Sequence, residues 1–176
     1  MDEQRALAPV KFSPMVVHYG KTIGTEGKGR YTCRVDVTRL ARALFDFVIS
    51  DKMNDVWKEI AETKWTSERP IGLGSTAHYV GVHKYNKGEE WNAVVTEFVK
   101  NKSLTMLLKG ANKHSRDQTN YYAFEPTTKG TNFTMSMEYK LPYSILGRLL
   151  GALGVNRMIE GWLDKMAMNL KKALEA

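Results

Sequence analysis

The sequence predicts an α+β domain in which a long C-terminal helix lies across one face of an antiparallel sheet. Val155, Met158, Ile159, Trp162, Met166, Leu170 and Ala173 recur at helical spacing on one narrow face, with Arg157, Glu160, Asp164, Lys171 and Lys172 opposite. That pattern describes an amphipathic helix of about 20 residues, roughly 30 Å long, with Trp162 as its expected central anchor. From about Lys64 to Leu141 the chain is a series of period-2 runs separated by turn signals. Such a helix is not stable by propensity alone, and the sheet supplies the apolar surface it needs.

Taken in order, residues 1–28 read as an N-terminal extension containing one strand-like run, ahead of a single domain over 29–176. Met15–Ile23 and Arg30–Val37 are expected to pair as a hairpin across the glycine-rich Gly24–Gly29. Tyr31, Cys33, Val35 and Val37 share one face of the second run, which should be buried. Thr38 fits as the N-cap of a helix from Arg39 to about Ser50, with Leu40, Leu44, Phe45, Phe47 and Val48 as its apolar stripe. A second short helix restarts at Asp51, with Val56, Trp57 and Ile60 on one side. Asp51 and Asn54 read as capping and turn residues rather than site residues.

The remaining strands are expected at Thr63–Ser67, Ser75–His83, Glu90–Val99, Ser103–Leu108, Gln118–Glu125 and Thr131–Leu141. Their short connections, Asn86-Lys87-Gly88 and Lys129-Gly130 among them, make an antiparallel meander. The segment before the last helix has a different phase. Leu146, Leu149, Leu150 and Leu153 fall nearly opposite the Val155–Met166 stripe, with Gly151, Gly154 and Asn156 at the change. Tyr143–Leu153 therefore reads as a separate segment: a lid, a site of transient contact with a membrane or a partner, or core packed after a turn.

The chain has 176 residues, 43% hydrophobic and 26% charged, which fits one ordinary globular domain. Its single cysteine, Cys33, excludes an intrachain disulfide and a multi-thiolate metal site. With no leader-like N-terminal apolar stretch, the expected location is cytoplasmic. The formal net charge of +7 comes from Lys and Arg scattered among acids, which describes a solvated surface and not a nucleic-acid interface. Gly72-Leu73-Gly74 lacks a third glycine and a following helix, so it is no phosphate loop. Neither a metalloprotease helix nor a nucleophile elbow occurs, and the sequence points to no metal, no cofactor and no catalytic constellation. His78 and His83, read in one strand five apart, face opposite sides. Asp36, Glu97 and Glu138 complete the strand-borne titratable candidates, while His18 and His114 read as peripheral.

Local residues then narrow the fold. Ser50-Asp51 is followed by Asn54 and Trp57, and Pro70-Ile71-Gly72-Leu73-Gly74-Ser75 enters a strand. Val95-Thr96-Glu97-Phe98, Phe124-Glu125-Pro126, Gly130-Thr131 and the ending Asn169–Glu175 follow in the same order. From about Arg30 to Glu175 this resembles the SRPBCC, or START-like, superfamily. That group includes START lipid-transfer domains, birch-pollen-allergen-like proteins, polyketide cyclase/dehydrase-like proteins and coenzyme Q-binding proteins. The resemblance implies a helix-grip fold, with a curved antiparallel sheet wrapped around the C-terminal helix, two short helices after the first core strand, and an apolar cavity between.

The residues allow such a cavity on their own account. Phe133, Met135 and Met137 share a face, as do Tyr122 with Phe124, Leu104 with Met106 and Leu108, and Val94 with Phe98. With Met158, Trp162 and Met166 from the helix, and Trp57, Trp65 and His78, they make a Met- and aromatic-rich lining suited to varied apolar ligands. The same residues could equally form a filled core. The expected function is binding or transport of a hydrophobic small molecule: a lipid, a quinone or a polyketide-like compound. The alternative is a polyketide cyclase or dehydratase in which a pocket His or Tyr moves a proton. A weaker third reading is partner binding through the leucine-rich segment.

Overall fold

The alternating runs assemble into one antiparallel sheet of eight strands in order β1-β2-β8-β7-β6-β5-β4-β3. The computed structural model describes residues 17–23, 28–37, 39–58, 60–84, 86–113, 115–140, 161–170 and 172–174. The strands are β1 (Val17–Ile23), β2 (Lys28–Val37), β3 (Ala61–Trp65), β4 (Thr76–Gly81), β5 (Glu90–Val99), β6 (Ser103–Gly110), β7 (Gln118–Thr127) and β8 (Gly130–Lys140). β3 to β8 form the expected meander, and β8 pairs with β2, so the N-terminal hairpin continues the same sheet. The hairpin turns use residues that tolerate positive φ: Asn101 at 62° between β5 and β6, and Gly130 at 150° between β7 and β8.

Register places one apolar face across β2, β8, β7 and β6. Cys33 pairs with Met135 and Val35 with Phe133; Phe133 in turn pairs with Phe124, and Met135 with Tyr122. Leu104, Met106 and Leu108 carry that face into β6 and are buried. In β5 a bulge between Val95 and Glu97 shifts the alternation. Ala93 and Val95 therefore point inward and Val94 does not share their face, a correction to the expected Val94–Phe98 set. Phe98 regains the inner side after the bulge and meets Phe45 edge-on, ring centroids 5.3 Å apart.

Helix α1 (Ala41–Val48) seats Leu44, Phe45 and Val48 on this face. Its N-cap is Leu40, which bears no capping side-chain bond and is exposed, so it does not belong to the apolar stripe. Thr38, the expected cap, lies outside the described residues. Ser50 turns the chain into α2 (Met53–Trp57): its hydroxyl donates to Phe47 O at 2.7 Å and accepts from Lys52 N at 3.3 Å. Asn54 is neither cap nor turn. Its amide donates to Thr63 O and accepts from Thr63 N, both at 2.8 Å, clasping α2 to edge strand β3.

The C-terminal helix, described over 161–170 and 172–174, buries Leu163, Met166, Ala167 and Leu170. Met166 and Leu170 are buried as the predicted stripe requires, but Trp162 is only half-buried while Leu163 and Ala167 are buried, so the helix faces the core roughly 50° away from that stripe. Asn169 Nδ2 donates to Val56 O at 3.1 Å, and Arg39 donates to Leu174 O at 2.7 Å, tying this helix to both short ones. Val155, Met158 and Ile159, the leucines at 146, 149, 150 and 153, and the lid expected over 143–153 lie outside the described residues. No helix among the described residues is long and apolar enough to cross a membrane.

Candidate functional site

Most of the interior is filled by one packed cluster. Phe124, Phe133, Met135 and Met166, expected as cavity lining, are each no more than 2% exposed and pack as core. Phe45, Phe124 and Phe133 stack there at centroid distances of 5.1 and 5.3 Å. Toward β3 and β4 the side chains no longer close the gap, and two neighbouring cavities share Trp57 and Tyr79 as walls.

The smaller has a volume of about 20 Å³ and lies between the α1–α2 turn and the sheet. Ser50, Asp51 and Asn54 form its polar side, with Trp65, Met106 and Tyr122 opposite. The larger has a volume of about 70 Å³ and lies where Trp162 of the C-terminal helix faces Trp91, Asn120 and Met137. Ile60, Asn86, Glu89 and Gln118 complete its rim. Of the residues expected to line one cavity, Trp57, Trp65, Met106 and Tyr122 line the smaller and Trp57, Met137 and Trp162 the larger, while Met158 lies outside the described residues.

His78 departs from the prediction. It alternates with the buried Ala77 and Tyr79, so it stands on the outer face of β4. Its Nδ1 lies 3.0 Å from Asn92 Oδ1 and its Nε2 3.6 Å from Glu90 Oε2. β4 ends at Gly81, so His83 belongs to the following loop, where its ring meets Trp162 edge-on at 5.6 Å.

Several wall residues escaped sequence reasoning. Asn120 sits two residues before Tyr122 in β7, and that spacing was the available signal. Asn86 and Glu89 lie in what reads as a solvated hairpin turn, yet Asn86 is only 4% exposed. Its Nδ2 donates to Ile60 O at 2.9 Å. Its carbonyl fills the space beside Gly81, where a Cβ would collide with it. A glycine at the end of β4 is therefore what lets the loop fold down over the cavity.

The walls hold two neutral phenols. Tyr79 donates to Met106 Sδ at 3.6 Å, and burial pushes its hydroxyl from the ordinary 10.0 up to about 12. Burial, then proximity to Tyr79, raises Tyr122 well above 10.0, with the Asn120 amide opposing. Between about pH 10 and 12 the unfolded chain releases protons that these folded phenols retain, so stability should fall across that window. Melting curves recorded through it check the sign; a stability that rose with pH would contradict the burial of both hydroxyls. Cys33 is likewise held as a thiol, pushed up to about 12 by burial and then by Asp164, which makes it a core residue and a poor nucleophile.

No family model matches the chain, and no curated protein matches its sequence. Solved structures do match. Protein TTHA0849 from Thermus thermophilus is similar over 84% of this chain and 96% of its own, with 15% identity and a TM-score of 0.63. CalU16 from Micromonospora echinospora is similar over 93% and 92%, with 13% identity and a TM-score of 0.52. Ginseng major latex-like protein 151 from Panax ginseng is similar over 76% and 96%, with 12% identity and a TM-score of 0.53. At these identities the likeness establishes the fold, and the chain has the helix-grip α+β fold that its sequence resembles.

Proposed function

We propose that this protein binds a hydrophobic small molecule in the cavity between the sheet and the C-terminal helix. The observation that carries this reading is the wall of the larger cavity, where Trp57, Tyr79, Trp91, Met137 and Trp162 converge around space that the core leaves unfilled. An aromatic, Met-containing wall suits an apolar ligand, and Asn86, Glu89, Gln118 and Asn120 give it polar groups besides. The likeness to a major latex-like protein and to CalU16 agrees with a fold of this kind. Native mass spectrometry of the purified protein, followed by titration with the neutral dye Nile red, tests the reading. A co-purified small molecule, or dye binding that changes little with ionic strength, is expected. Failure of the dye to bind the ligand-free protein would overturn it.

One observation favours a second reading, a cyclase or dehydratase acting on a polyketide-like substrate. Glu89 is a carboxylate in the cavity wall, which a proton transfer would need within reach of the substrate. His78 is on the wrong face for that role, and Tyr79 and Tyr122 are pushed away from the range useful to a general base near neutral pH.

A further inference from the structure

We infer that the end of the sheet carrying the β3–β4 loop is a docking surface for an anionic lipid membrane. This is independent of the cavity reading above. Strand order brings four connections to that end: Arg39–Leu40 before α1, 66–75 between β3 and β4, 100–102 between β5 and β6, and 128–129 between β7 and β8. Three of the five large hydrophobic side chains that stand exposed among the described residues lie there. They are Leu73 at 72%, Leu40 at 75% and, at the end of β5, Val99 at 44%. The same connections hold Arg39, Arg69, Lys100, Lys102 and Lys129 against one acid, Glu68. Apolar tips and positive charge are thus presented together.

A single exposed leucine is ordinary, but Leu73 is held out by a fixed loop. Ser67 Oγ accepts from Thr76 N at 2.8 Å, and Gly72 N donates to Ser75 Oγ at 2.9 Å. Gly74 N donates to Val95 O at 2.9 Å, and Ile71 is buried beneath the loop. Gly74 takes a φ of 81°, and a Cβ at Gly72 or Gly74 would meet nothing within 4 Å. Leu73 therefore stands clear between two glycines, where it gains only by leaving water. Beside it the charge suits lipid phosphate. Arg69 is paired with Asp51 at 3.1 Å, whereas Lys100, Lys102 and Lys129 meet no acid among the described residues. Behind the tips, Glu97 accepts from Ser103 and Thr105 and Asp36 accepts from Asn132, while Glu125 is exposed. An apolar tip ringed by lysines can enter the interface of a bilayer while the ammonium groups stay at the headgroups. Nucleic acid would use the lysines and leave Leu73 in water.

Flotation of the full chain with phosphatidylcholine vesicles, with and without phosphatidylglycerol, tests this. The protein should float with the anionic vesicles at low salt, stay behind with the neutral ones, and be released by high salt. Leu73→Asp should weaken vesicle binding about tenfold, the cost of keeping that side chain in water. Lys100→Glu combined with Lys102→Glu should weaken it by about tenfold or more. All three side chains are exposed, so both variants should melt like the parent, and a loss of binding is then not a loss of fold. Equal affinity for the two vesicles, binding to neither, or anionic binding that Leu73→Asp leaves unchanged would overturn the inference. So would tighter binding to duplex DNA than to anionic vesicles, which would assign the lysines to nucleic acid. Dye binding in the cavity is unaffected by any of these results.

Discussion

Replacing Phe45 with alanine should destabilise the protein by about 3–5 kcal/mol, read from thermal or denaturant unfolding. Phe45 is 1% exposed and is the point where α1 meets the sheet. Its ring stands edge-on to Phe98 at 5.3 Å and to Phe124 at 5.1 Å, and Phe124 leans on Phe133 at 5.3 Å. Edge-to-face pairs add to the simple gain from burying area, and truncation opens a void among rings that cannot all move in to fill it. The two cavities lie elsewhere, so this packed region secures the fold. Parent-like stability of Phe45→Ala would mean that α1 is not seated on the sheet as described.

Leu170→Ala should cost about 2–5 kcal/mol, and more than Trp162→Ala. Leu170 is fully buried, together with Leu163, Met166 and Ala167, and its neighbour Asn169 bonds to Val56 O. Trp162 is a larger side chain, but it is half-buried beside a cavity, with its ring against His83 in a loop. Less tightly packed surroundings can relax around the loss. If the two unfolding measurements came out in the opposite order, the helix would be rotated by roughly 50° toward the face its sequence pattern suggests.

That rotation shows where the sequence was legible and where it was not. In the C-terminal helix Trp162 and Leu163 are adjacent, as are Met166 and Ala167, so the apolar stripe is broad. Its centre is then decided by the surface beneath it, which the helix sequence does not contain. The strands were legible because inward positions alternate through much of β7 and β8 and the turns carry Asn101 and Gly130, residues at ease with positive φ. β5 was misread in part because a bulge moves Phe98 back to the inner face, and hydrogen bonding rather than hydropathy sets a bulge. β4 was ambiguous for another reason: Ala77 and Tyr79 on one side are scarcely more apolar than His78 and Val80 on the other.

The candidate site was half legible on the same principle. Its aromatic and methionine walls announce themselves, since Trp57, Trp65, Met106, Tyr122, Met137 and Trp162 are the kinds of residue a cavity of this sort uses. Asn86, Asn120 and Glu89 do not. A buried asparagine and a solvated one look alike in a sequence, and only the packing of Gly81 against the Asn86 loop and the pairing of Asn120 with Met106 and Met137 bring them inward.

The most direct test of the cavity is a proton–nitrogen NMR titration with Nile red, following the indole N–H signals of the four tryptophans. Trp57, Trp91 and Trp162 line the larger cavity, so their signals should move on binding, while the outer-face groups around His78 and Asn92 stay in place. Saturable shifts confined to the outer face, with the lining indoles unmoved, would contradict a ligand seated between the sheet and the C-terminal helix.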